Sequence, residues 1–194
     1  MTTATMQRYG FELRAKVEGR TIRGHAAVFG QVARVPGGYE RLAPTAFDAV
    51  LAREDTDVRA LFNHDPALLL GRQSAGTLRL DVDERGLAME IDVPETSYGD
   101  DLLTLVRRGD LTGASFGFVP GEDAWSKAPD GLKLRDHTSL AELRDVSPVA
   151  FPAYDGTEVA LRSVTFDHRR LNPRAAVIRS RARARGLHPG RKYR

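Results

Sequence analysis

The chain has 194 residues, 41% of them hydrophobic and 28% charged, which suits one domain with its own core and excludes a chain disordered throughout. It has no cysteine, so thiol catalysis, disulfides and cysteine-ligated zinc or iron–sulfur sites are excluded, and no run approaches the ~18 apolar residues of a membrane span. The net charge of +3 conceals an asymmetry: residues 162–194 hold eleven Lys/Arg against one acid, whereas residues 1–161 hold 18 Lys/Arg against 25 Asp/Glu, so an acidic body carries a basic tail.

Residues 1–7 lack the basic-then-apolar pattern of a signal peptide. Residues 9–17 alternate, with Tyr9, Phe11, Leu13, Ala15 and Val17 on one face, which predicts a half-buried strand. Residues 21–29 read as a second strand, and Pro36-Gly37-Gly38 as a loop. Residues 44–53 carry Pro44 in a first turn and Phe47, Val50 and Leu51 at helical spacing, which predicts a short helix. Residues 58–62 form a strand that Pro66 is expected to end, leaving His64 near its terminus.

Residues 77–82 and 87–93 alternate cleanly across the turn Asp83-Glu84-Arg85-Gly86, a hairpin. Ser97 with Asp100 opens the best helix in the chain, Leu102, Leu103, Leu105 and Val106 form its stripe, and Gly109 is its left-handed stop. Residues 114–119 are a strand, followed by a loop with Gly121, Pro129 and Gly131. Residues 140–151 read as a long or bent strand that Pro148 assigns to an edge or a bulge. With seven to nine short strands and two helices, the expected fold is mainly β with peripheral helices (α+β), a closed or nearly closed barrel. Residues 1–160 are expected to form one domain and 161–194 a basic, mobile C-terminal tail.

Gly113-Ala114-Ser115-Phe116-Gly117 matches G-x-S-x-G, a pattern that also occurs by chance. Gly117, Pro120 and Gly121 oppose the helix that would follow in a nucleophile elbow, and a small residue packed in a strand gives the same letters. If Ser115 is a nucleophile it needs a base of near-neutral pKa, and His64 fits; the plain alternative is a surface histidine in a turn. Asp65 should face away from whatever His64 serves, because strand neighbours point to opposite faces. Asp145 lies among apolar strand residues, sharing a face with Leu143 and Ser147, and a carboxylate there needs a partner: the imidazole N–H, or an arginine. His137 is the rival third member, in a setting that reads as an exposed turn, and Arg144 is a candidate oxyanion donor. His25, His168 and His188 have no metal-ligand spacing, and no phosphate loop or dinucleotide fingerprint is present, so no metal and no cofactor are expected.

Seven blocks in order then resemble the prohead maturation serine proteases of tailed bacteriophages, a family related in fold to the herpesvirus assembly protease, assemblin. They are Gly24-His-Ala-Ala-Val-Phe29, Ala43-Pro-Thr-Ala-Phe47, Leu61-Phe-Asn-His-Asp-Pro66 with Leu70-Gly-Arg72, Thr96-Ser-Tyr98, Val106-Arg-Arg-Gly-Asp110, Gly113-Ala-Ser-Phe-Gly-Phe118 and Asp145-Val-Ser-Pro-Val-Ala-Phe-Pro-Ala153. They span roughly residues 20–155. The resemblance implies a barrel of about seven strands, with Ser115 as nucleophile and His64 as base. Asp145 falls where the family carries an acid, although herpesvirus relatives use a second histidine.

It also implies an endopeptidase that cleaves the capsid scaffold or the scaffolding segment of the major capsid protein, and then itself. The expected location is the immature shell in the host cytoplasm. No membrane partner is expected, a homo-oligomer is left open, and only the basic tail is a candidate for nucleic acid. Two other readings remain: a non-catalytic capsid assembly protein of the same fold, and a small serine esterase.

Overall fold

A computed structural model describes residues 6–12 and 16–152. In chain order the strands are β1 (Gln7–Glu12), β2 (Lys16–Glu18), β3 (Thr21–Val28), β4 (Ala33–Val35) and β5 (Gly38–Leu42). After the short helix α1 (Asp48–Leu51) come β6 (Arg59–Phe62), β7 (Asp65–Arg72), β8 (Leu78–Val82) and β9 (Gly86–Asp92). The helix α2 (Ser97–Arg108) precedes β10 (Gly113–Pro120), β11 (Asp123–Lys127), β12 (Lys133–His137) and β13 (Leu140–Val149). The protein is mainly β with few helices. The expected tail, 161–194, lies outside the described residues.

The strands form three open sheets, ordered β1-β10-β13-β6-β7, β2-β3-β9-β8 and β11-β12-β5-β4. This corrects the expectation of a closed or nearly closed barrel. Closure needs every strand to carry a ladder on both sides; here β1 and β7 end the five-stranded sheet unpaired with each other, and β2 and β4, three residues each, end the other two. The predicted strand over 9–17 is likewise two elements: β1 pairs with β10, whereas β2 pairs with β3 in another sheet. No helix among the described residues is long and apolar enough to cross a membrane.

The sequence signals that hold these elements are local. In the β8–β9 hairpin, Asp83 Oδ1 accepts from the N–H groups of Arg85 (2.8 Å) and Gly86 (2.9 Å), closing the turn predicted there. The cap of α2 is Thr96, one residue before the expected Ser97; its hydroxyl accepts from Gly99 N–H at 3.2 Å. Gly109 ends the helix at φ +77°, the left-handed stop that glycine permits.

β10 is the middle of the molecule, buried from Gly113 to Val119. Phe116 and Phe118 point into the core, their rings 5.0 Å apart; Tyr9 of β1 stacks on Phe116 at 5.9 Å and lies tilted against Phe118 at 5.2 Å. Phe47, just before α1, meets Phe116 edge-on at 5.6 Å. Alternation then sends Ser115 and Gly117 to the other face of the same strand. Burying the two phenylalanines stabilises the strand by roughly 1.5–3 kcal/mol each, and that packing fixes where the serine points.

Candidate active site

Ser115 pairs across the sheet with Ser147 of β13, and Gly117 pairs with Asp145. Cross-strand partners share a face, so Ser115, Asp145 and Ser147 all lie on the face away from the aromatic core. The face shared by Asp145 and Leu143, as expected from simple alternation, is corrected here. Phe118 pairs with Leu143 while Gly117 pairs with Asp145, so one step along β10 spans two along β13 and Arg144 is bulged out. Leu143 therefore joins Phe118 and Val146 in the core, and Asp145 turns away from it.

β6 runs beside β13 in parallel, pairing at Asp145↔Arg59 and Val146↔Ala60. It leads into the two-residue turn Asn63-His64, where both residues are left-handed, φ +53° and +56°, as a type I′ hairpin requires. Pro66 does not end the strand as expected. β7 continues the hairpin, and because Leu61 pairs with Leu69 while Phe62 pairs with Asp65, Pro66 falls in a bulge with no ladder bond to lose. Asn63 ties the turn to the end of β13: its N–H donates to Pro148 O (3.0 Å) and its Oδ1 accepts from Ala150 N–H (2.9 Å).

That turn carries the His64 ring to Asp145, and Nδ1 hydrogen-bonds to Asp145 Oδ2. The same oxygen accepts from the Ser147 hydroxyl at 2.8 Å. A carboxylate only accepts, so Nδ1 carries the proton, and in the neutral imidazole Nε2 keeps its lone pair. His64 is 8% exposed, Asp145 5% and Ser115 1%. His64 Nε2 and Ser115 Oγ are both buried without a hydrogen-bond partner. An unpaired buried polar group costs about 1–3 kcal/mol, so two on one face call for a functional account. A basic imidazole nitrogen can take a proton from a serine hydroxyl, and the deprotonated oxygen can attack an acyl carbon.

The other candidates lie elsewhere. His137 is fully buried in β12 rather than exposed in a turn. Its ring meets Phe118 edge-on at 5.4 Å, on the opposite face of β10 from Ser115. Its Nδ1 lies 2.7 Å from Asp123 Oδ1 and its Nε2 2.9 Å from the Tyr9 hydroxyl, which donates to Glu40. Burial alone would raise the Glu40 pKa, but hydrogen bonds from His137 and Tyr9 hold it below the usual carboxylate value. Arg144, at the bulge, is half exposed and donates to Glu142 at 2.7 Å. Asp65 accepts from Ala67 N–H at 2.9 Å and does not serve His64, as expected.

A cleft of about 840 Å³ opens onto His64 and Asp145. Its wall includes Asp57, whose pKa is held down at about 2 by the hydrogen bond from Arg72, helped by Ser74. Three contributors carried no assigned role in the sequence. Ser147 could be found by counting two residues on from Asp145 along a strand. Asn63 could be found as the residue type that best tolerates a left-handed turn before a histidine. Gly117 is the third: a Cβ there would lie 2.5 Å from Asp145 Oδ1.

The family described as caudovirus prohead serine protease matches residues 10–171. No curated protein matches the sequence. Among solved structures, the capsid assembly protease of bacteriophage T4 is similar at 13% identity and a TM-score of 0.43, covering 75% of this chain and 96% of that one.

Proposed function

The chain belongs to the caudovirus prohead serine protease family, and from that premise we propose that it cleaves capsid assembly proteins through Ser115, His64 and Asp145. The observation that carries this reading is the imidazole held by Asp145, with its free Nε2 on the sheet face that also carries the unpartnered Ser115 hydroxyl. In the proposed reaction the Ser115 proton passes to His64 Nε2 as Oγ bonds to the peptide carbonyl carbon. His64 then gives that proton to the departing amine as the C–N bond breaks. Water, deprotonated by His64, releases the acyl group and regenerates the serine. Asp145 holds the tautomer and stabilises the imidazolium between the two transfers, and backbone N–H groups are the expected oxyanion donors.

The proposed substrates are the capsid scaffold or the scaffolding segment of the major capsid protein, and the chain itself, inside the immature shell in the bacterial host. Residues 1–160 are proposed as the catalytic domain. The basic tail of residues 161–194 is proposed to dock on acidic scaffold; unchanged incorporation into particles on its deletion would refute that role. The burial of Ser115, at 1% exposure, also suits a non-catalytic assembly protein that keeps this fold. Labelling with a fluorophosphonate separates the two: the protease reading expects adduct on Ser115, and none in Ser115→Ala. Cleavage of a co-expressed capsid precursor should be lost in the same variant, and retained cleavage would exclude Ser115.

A further inference from the structure

We infer that Arg8 anchors an acidic side chain of the substrate in a subsite beside the scissile bond, a specificity role that rests on the protease reading above. Arg8 lies on β1 directly across from Gly117, so it faces the same side as Asp145 and Ser115, while its neighbour Tyr9, across from Phe116, faces the core. It lines the cleft that opens onto His64 and Asp145. Gly10, the next residue of β1 on that face, pairs with Ser115. Successive same-face positions are about 7 Å apart, so the guanidinium reaches residues flanking the bond that Ser115 attacks.

The charges of the cleft wall single this arginine out. Arg53 is paired with Asp55 at 2.8 Å, Arg59 lies 3.5 Å from Asp57, and Arg144 is paired with Glu142 at 2.7 Å. Asp145 is engaged by His64 and Ser147. Among the described residues Arg8 has no carboxylate partner, and its Nε is buried without a hydrogen bond. A partly desolvated guanidinium is costly unless a charge-bearing acceptor completes it. Its planar fork suits a carboxylate held by two parallel N–H bonds. Every acid among the described residues of the wall is taken, so the carboxylate inferred for Arg8 is one that arrives with the peptide.

The test is a cleavage profile of the full chain on a proteome-derived peptide library, with Ser115→Ala as the blank. The expected wild-type profile is enriched in Glu or Asp over Gln or Asn at one fixed position within three residues of the cut. Arg8→Ala should lower that acidic-to-amide ratio by about tenfold, the scale of a hydrogen-bonded charge pair. Arg8→Lys should keep most of it, and Arg8→Glu should transfer the preference to Lys or Arg at the same position, a gain that only a folded enzyme can show. Ser115-dependent cleavage with no acidic preference, or an unchanged ratio in Arg8→Ala, overturns the subsite alone. No Ser115-dependent cleavage at all overturns the protease reading and the subsite with it.

Discussion

The Asp145 carboxylate occupies the space that a side chain at position 117 would fill: Gly117 lies directly across β10 and β13 from it, and a Cβ would come within 2.5 Å of Oδ1. Gly117→Ala is therefore expected to push the carboxylate off His64 Nδ1. Cleavage should fall by about a hundredfold, the scale for a misplaced reacting group. The loss should exceed what the thermal melt suggests, and kcat/KM beside Tm checks this.

Asp145 accepts from two donors, so its loss should affect both stability and activity. Asp145→Asn presents an amide where a proton is now held and should lower kcat by on the order of 10⁴-fold. It should also destabilise the fold by about 1–3 kcal/mol, because buried donors lose a charged acceptor. Ser147→Ala removes one of the two hydrogen bonds and should reduce cleavage far less. Comparable kcat in Asp145→Asn and wild type would remove Asp145 from the mechanism.

Asn63 positions the histidine without touching the reacting atoms. Asn63→Gly keeps the left-handed backbone and loses the clamp to Ala150, whereas Asn63→Ala loses both. The expected order of stability is wild type, then Gly, then Ala, with Ala down by about 1–3 kcal/mol from strain and the lost bond. Activity should follow the same order, with kcat reduced more than KM is raised. Urea melts and single-turnover cleavage on the three proteins test the ranking.

Glu40 gives the fold an acid-sensitive joint. Its carboxylate accepts from Tyr9 of β1, lies 3.3 Å from Arg135 and 3.7 Å from His137, and titrates below its ordinary value of 4.5. A group whose pKa is lowered on folding adds stability above the unfolded value, and that stability drains away as pH falls through the folded one. Glu40→Gln should therefore be less stable than wild type near pH 7, with the gap closing below about pH 4.5. Denaturant midpoints of both proteins across that range give the answer; a constant gap would mean that the joint is not electrostatic.

Where one face of an element is buried and the other wet, the sequence could be read. The alternation of residues 77–82 and 87–93 predicts β8 and β9, and the serine in 114–119 stands where β10 carries it. His64 and Asp145, chosen for their chemistry, are hydrogen-bonded to each other. What could not be read depends on edges and on partners remote in the chain. β11 is an edge strand with four of its five residues exposed, so it has no apolar alternation and reads as a loop. His137 sits in a polar run typical of a turn, and its burial is made possible only by Tyr9, Glu40 and Asp123, which arrive from other strands. The bulge at Arg144 is invisible to a period of two, and it decides which way Leu143 points.

β13 is the last described strand to be made, yet it stands between β10 and β6 and joins the β1–β10 pair to the β6–β7 pair. A nascent chain that has emerged only as far as β12 already contains Ser115 and His64 but lacks the strand that carries Asp145 and joins β10 to β6. On the proposed mechanism, a chain made only to β12 should therefore be unable to cleave itself or its neighbours.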